Sequence, residues 1–224
     1  MARVITLVLE ASTYAGSAAL LDGERLLGER SVAMRGREHE ALMPAVAELM
    51  SAHGLSAGAI DRVVCGAGPG SFTSLRIAGA IAKGIALAAV CPLVPISSLA
   101  LVVASREPFV AGRYLAAIDA LRGEHYVGLF EVGERGTVRA LGPELRIPSE
   151  AVLGRAASED AVALGPGRDG VARIDPRAAG AARLVDLLDA TPAADLAGWE
   201  PAYGRLAEAQ VKWEATHGRP LEAV

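Results

Sequence analysis

The sequence predicts a two-lobed α/β fold, and three features of it carry that expectation. A β-rich run opens the chain and leads through tight turns into two further strands. A strand, a glycine-rich turn and a long apolar helix follow. A polar stretch from Arg106 to Gly112, holding Pro108 and Gly112, then separates these elements from a second group of strands.

Each element has a local reason. Val4-Ile5-Thr6-Leu7-Val8-Leu9 is a continuous β-rich run, the pattern of a central strand buried on both faces. Glu10-Ala11-Ser12-Thr13 forms a polar turn, Ser17–Leu21 a second strand, and Asp22-Gly23 a hairpin signal leading to a third strand through Leu26-Leu27 to Val32-Ala33. In the helix expected over Arg37–His53, Leu42, Val46, Leu49 and Met50 share one face, and Gly54 stops it. Arg62–Gly66 reads as a strand, Thr73–Ala89 as a long helix, Leu93–Ile96 as a strand, and a short helix begins at Ser98. The first lobe thus covers residues 1–104 and the second 105–201. Strands are expected over Tyr114–Ile118, His125–Phe130, Thr137–Ile147 and Ala161–Leu164, with helices beginning at Pro148-Ser149-Glu150, over Arg177–Asp189 and over residues 202–216.

Composition narrows the function. The chain has 224 residues, 52% apolar but only 4% aromatic, so its core is built from small side chains and close backbone contacts. A formal net charge of −4 disfavours unaided wrapping of nucleic acid, which draws its affinity from a basic excess. Cys65 and Cys91 lie in apolar surroundings without CxxC spacing, which fits two reduced, buried thiols in a reducing compartment. No signal peptide is visible, and the stretch Ile85–Ile96 is too short for a membrane span. A soluble, cytoplasmic protein is expected.

The most specific segment is Gly66-Ala67-Gly68-Pro69-Gly70-Ser71-Phe72-Thr73-Ser74-Leu75-Arg76. It admits two readings. One is a tight structural turn; the other is an anion cradle formed by Gly68, Gly70, Ser71 and Thr73 at a helix N-terminus, where exposed N–H groups and the helix dipole favour negative charge. No Gly-Lys-Ser/Thr ends the segment, so it is not a Walker A loop. The following helix carries Ala80, Gly84 and Ala88 in a small-residue stripe, suited either to its own sheet or to a helix of another subunit. Glu10 with Ser12 and Thr13 reads as a simple turn. The four histidines are scattered without metal-site spacing and there is no nucleophile elbow, so no metal, cofactor or catalytic residue is expected.

Together these segments resemble the TsaB family of the ASKHA superfamily (actin, sugar kinase and Hsp70-like). The resemblance rests on the meander ending in Glu10-Ala11-Ser12-Thr13, on His39-Glu40 with Leu42-Met43-Pro44, and above all on Gly68-Pro69-Gly70-Ser71-Phe72-Thr73 with Leu75-Arg76. Asp119-Ala120 with Arg122-Gly123-Glu124 and Tyr126 is similar to the family's Asp-Ala-Arg-Arg-Gly-Glu-x-Tyr, and Pro201-Ala202-Tyr203 with Arg205 to its Pro-x-Tyr-Leu-Arg. The chain departs from the pattern at Glu10 (usually Asp), Ser74 (Gly), Leu121 (Arg) and Gly204 (Leu).

The resemblance implies an ASKHA (actin-like, ribonuclease H-like) fold with mixed sheets flanked by helices, the last helix returning to the first lobe. It implies a non-catalytic scaffold paired with a TsaD-like catalytic subunit. With a TsaE-like ATPase, that complex transfers threonylcarbamoyl from threonylcarbamoyl-AMP to the N6 of the adenosine beside the anticodon of tRNA, and this chain meets tRNA only through the complex. By analogy the partner surface comprises Leu42, Met43, Val46 and Met50 on one helix and Ile77, Ala80, Ile81 and Gly84 on the next, and the same surface supports a homodimer when the partner is absent. TsaD has an HxxxH metal motif that this chain lacks. The competing reading is a self-sufficient ATPase or small-molecule kinase of the same superfamily.

Overall fold

A computed structural model describes residues 3–35, 40–167, 169–204 and 216–217. The first sheet grows from the opening run. β1 (Ile5–Glu10) is buried at all six residues. It pairs antiparallel with β2 (Ala15–Asp22), which pairs with β3 (Arg25–Ala33) to complete the meander. α1 (Leu42–Ala52) packs on β2 and β3. It begins later than expected: Glu40 accepts hydrogen bonds from the N–H groups of Leu42 and Met43, and residues 36–39, including His39, lie outside the described residues. β4 (Arg62–Gly66) joins β1 in parallel and α2 (Phe72–Ala89) packs on it. β5 (Leu93–Ile96) closes the order β3-β2-β1-β4-β5.

α3 (Ser98–Ala104) is buried along its whole length, an all-round apolar helix between two layers. On its far side stands the second sheet: β6 (Gly112–Asp119), β7 (Glu124–Val132), β8 (Val138–Ala140), β9 (Leu145–Pro148), β10 (Val162–Gly165) and β11 (Ala172–Arg173). The order is β11-β10-β6-β7-β8, with β9 also on β7. α4 (Ala151–Ser158) covers its outer face through Val152 and Ala156. Both sheets are therefore mixed and flanked by helices, as expected for the fold class.

One apolar cluster runs through the molecule from Val8, Val64 and Ile96 of the first sheet, across α3, to Tyr114, Ala116, Ile118 and Phe130 of the second. A second cluster lies under α1 and α2. By length and apolarity α2 would pass as a membrane span, but its Leu75, Ala78, Ala82, Ile85 and Ala86 are buried within the protein.

Three expectations need correction. The strand expected over Thr137–Ile147 is two strands, β8 and β9, on the same edge of β7. Gly142 and Pro143 interrupt it, since proline has no N–H for the ladder. The helix expected over Arg177–Asp189 is a 3₁₀ turn at Ala178–Arg183 followed by α5 (Val185–Ala190), with Gly180, a poor helix former, packed on Ala104 and Ser105. Residues 177–201, grouped above with the second lobe, are also bound to the first sheet, although α5 touches β8 of the second. Ala178 N donates to Ser17 Oγ (2.8 Å), Ala179 N to Glu29 Oε1 (2.9 Å), and Arg62 pairs with Asp189 (2.7 Å). Further on, Ala194 N donates to Leu93 O (2.8 Å) and Ala202 N to Ala67 O (2.7 Å). The sequence shows the small apolar residues of this segment but not which sheet they cover. Residues 205–215, most of the helix expected over 202–216, lie outside the described residues.

Candidate functional site: a pinned glycine turn and an open helix face

The turn between β4 and α2 meets the end of β1. Glu10 is fully buried, and its side chain folds back into the protein. Oε1 accepts from Ser12 N (2.5 Å) and Oε2 from Ser98 Oγ (2.9 Å), while Ser98 Oγ in turn accepts from Gly68 N (3.2 Å). Gly66 leaves the room: a Cβ there would stand 1.9 Å from Glu10 Oε2. Gly68 has φ +92°, in the left-handed region, and its carbonyl accepts from Ser98 N (2.9 Å). Gly70 lies against the backbone of Ser12, whose carbonyl accepts from Ser71 N (2.7 Å).

The structure thus brings Gly68, Gly70, Ser71 and Thr73 together at the start of α2, as the motif suggested. The tight-turn reading accounts for the contacts they make. Two of the four N–H groups an anion cradle would use, those of Gly68 and Ser71, are spent on Ser98 and Ser12, and Ser71 Oγ is engaged with Ser74 Oγ (3.0 Å). Ser98 and Ala202 complete the joint; the sequence marks Ser98 as a helix start and Ala202 within Pro201-Ala202-Tyr203, but not that they meet this turn. Only the proximity of β5, α3 and the returning chain reveals that contact.

Burial pushes the Glu10 carboxyl above its ordinary range, and hydrogen bonds from Ser12 and Ser98 pull it part of the way back. The Ser12 hydroxyl is the buried side-chain polar atom that, among the described residues, lacks a hydrogen bond of good geometry. A raised carboxyl binds its proton more tightly in the folded than in the unfolded chain. Its contribution is therefore fully present below the ordinary value of 4.5 and is lost as pH rises through the higher folded value. Glu10→Gln keeps an acceptor for Ser12 N and carries no charge. The urea midpoint of the wild type is expected to fall relative to this variant as pH rises from about 4.5, and parallel profiles would show that Glu10 does not titrate in that window.

The outer faces of α1 and α2 form the second part of the site. Leu42 and Val46 are fully buried in the core, which withdraws them from the partner surface. Their i, i+4 spacing is what the sheet below requires. Met43 is 43% exposed, while Met50, Ile77 and Ile81 are half-buried. On α2, Arg76, Ala80, Gly84, Leu87 and Ala88 face outward, and a Cβ at Gly84 would meet nothing within 4 Å. Gly79 is the opposite case, closed over by Pro201 and Trp199. The small-residue helix therefore divides its two glycines between internal packing and an open face.

The motif on the second lobe is a hairpin turn. Asp119 Oδ1 accepts from Leu121 N (2.7 Å), and Leu121, Arg122 and Gly123 all have positive φ. Holding the first two there costs on the order of 1 kcal/mol each. Neither cysteine suits nucleophilic chemistry, since burial pushes both thiols up. No group of three His, Cys, Asp or Glu among the described residues could hold a metal ion.

Two mixed sheets enclosing a buried helix, with a glycine turn locked onto the end of the first strand, define an ASKHA-type protein. Comparison with known proteins narrows the class. Residues 34–172, more than half of the chain, match the family described as "TsaD: tRNA N6-adenosine threonylcarbamoyltransferase". A Haemophilus influenzae protein named "tRNA threonylcarbamoyladenosine biosynthesis protein TsaB" is 36% identical over 127 residues, 56% of this chain and 53% of that protein. A Bacillus subtilis protein of the same name is 27% identical over 226 residues, 92% of this chain and 96% of that one. A solved structure described as an uncharacterized Pseudomonas aeruginosa protein with similarity to peptidase YEAZ superposes with a TM-score of 0.76 at 30% identity, covering 90% of this chain and 100% of that one. The chain belongs to the TsaB/YeaZ branch of the TsaD-like family. The match spans about half the length of the H. influenzae relative.

Proposed function

We propose that the chain is a non-catalytic scaffold subunit in the formation of threonylcarbamoyladenosine on tRNA, acting by pairing with a TsaD-like catalytic subunit. The observation that carries this reading is the open face of α2, where Ala80, Gly84 and Ala88 present backbone to solvent on a helix whose other face is core. A helix bearing glycine there gives up about 1 kcal/mol against alanine, a cost suited to a surface that another backbone must approach. The names of the relatives supply the process. Burial of Glu10 and the engagement of the Gly68 and Ser71 N–H groups within the turn favour a scaffold over a phosphate-handling enzyme. In this reading a TsaE-like ATPase joins through the complex, tRNA is met only there, and the same helices pair two copies of the chain when the catalytic subunit is absent.

The test is an omission assay. Product formation on tRNA is followed with the TsaD-like subunit, the TsaE-like ATPase and threonylcarbamoyl-AMP, with and without this chain. Product only in its presence, with no turnover by the chain alone, is the expected result. Equal product without it would overturn the reading. The alternative, a self-sufficient ATPase or small-molecule kinase, predicts saturable nucleotide binding and turnover by the isolated chain.

A further inference from the structure

Between the start of α3 and the break separating β8 from β9 lies a cavity of about 150 Å³. A cavity of roughly this size takes one benzene-sized ligand. Its walls are largely apolar, with Ile96, Ala100, Phe130, Ala140 and Leu187 among them. At its rim stands one carboxylate, Glu144, which accepts a hydrogen bond from Ser97 Oγ. That hydroxyl is otherwise committed, accepting from Leu99 N (3.1 Å) and Ala100 N (3.2 Å) to cap α3. Among the described residues no lysine, arginine or histidine lines the cavity, and Glu144 has no ion-pair partner. Glu144 is exposed on its outer side; the desolvation it does meet at the cavity mouth raises its carboxyl, with the Ser97 bond drawing it partly back.

An ionised carboxylate accepts at about four positions, and propping the Ser97 cap uses one of them. A carboxylate held at the mouth of an apolar cavity attracts a cation there, and the cavity takes an apolar body of matching volume. One class of ligand answers both demands. We propose that this cavity binds a small apolar primary ammonium, its alkyl or cycloalkyl body between Ile96, Ala100, Phe130 and Leu187 and its ammonium on Glu144. The site lies between the end of β5 and the second sheet, is lined by no residue of α1 or α2, and does not depend on the scaffold reading.

The probe is cyclohexylammonium, titrated into the full chain by calorimetry and by amide chemical shifts, with cyclohexanol as its neutral counterpart. Saturable binding of the ammonium is expected, with the largest shifts at Ala100, Gly128 and Ala140. Glu144→Gln keeps an acceptor for Ser97 and should weaken the ammonium roughly tenfold or more while leaving the alcohol unchanged. Gly142 also lines the cavity, and a Cβ there would meet nothing within 4 Å. Gly142→Leu should therefore fold as the wild type by thermal melting and lose both ligands. An absence of saturable ammonium binding, or ammonium affinity indifferent to Glu144→Gln, would overturn the proposal.

Discussion

Gly70→Ala is expected to cost the protein about 3 kcal/mol or more, a large share of the ~10 kcal/mol that holds a typical domain together. A Cβ at residue 70 would lie 2.2 Å from the Ser12 carbonyl oxygen and 2.7 Å from Ser12 Cβ. The first of these atoms is backbone and cannot rotate away. Relief requires the β1–β2 turn and the start of α2 to part, which stretches the 2.7 Å bond from Ser71 N to Ser12 O. That movement also pulls at Ser12 N on Glu10 and, through Ser98, at Gly68. The joint ties three segments of the chain, so the loss should appear as a lower urea midpoint for the whole molecule rather than local fraying. An unchanged midpoint would mean that the turn is looser than its contacts indicate.

The opposite outcome is expected at Gly84. Replacing it with leucine meets no neighbour within the chain and adds about 0.5–1 kcal/mol of helix propensity. The isolated protein should melt slightly higher than the wild type. Its assembly with a TsaD-like subunit should weaken by roughly two orders of magnitude, because a bulky side chain holds two closely packed backbones apart. Thermal melting and calorimetric titration with the partner measure the two effects separately. A stable variant that still forms the complex with wild-type affinity would place the partner elsewhere. Gly70 stands just before α2 and Gly84 within it, yet one is held by the fold and the other is proposed to be held by a partner.

Much of the first lobe was legible before any coordinates. The continuous run Ile5–Leu9, the Asp22-Gly23 turn and the i, i+4 face of α1 report local backbone preference and periodic burial, which neighbouring residues in the chain decide between them. The GPGSFT segment was legible for the same reason, since its glycines and proline mark a sharp strand-to-helix turn.

The misreadings have a common cause. The family analogy puts Leu42 and Val46 on the partner surface, but an apolar helical face looks alike whether it meets its own sheet or another subunit, and here the sheet buries both. Residues 177–201 were placed with the second lobe because adjacency in sequence was the only guide, whereas Ser17, Glu29, Arg62 and Leu93 hold them to the first. The break between β8 and β9 was missed although Gly142-Pro143 announced it, and the cavity with Glu144 opens there.

By itself, then, the sequence determined most strands and helices of residues 1–104 and the glycine turn, because these rest on preferences of residues close in the chain. Tertiary structure alone decided that Glu10 turns inward onto Ser98, 88 residues away. It also decided that one small-residue helix buries Gly79 under Pro201 and leaves Gly84 open. Such contacts depend on where distant segments come to lie, and a linear pattern records what each residue can pack against but not which surface reaches it first.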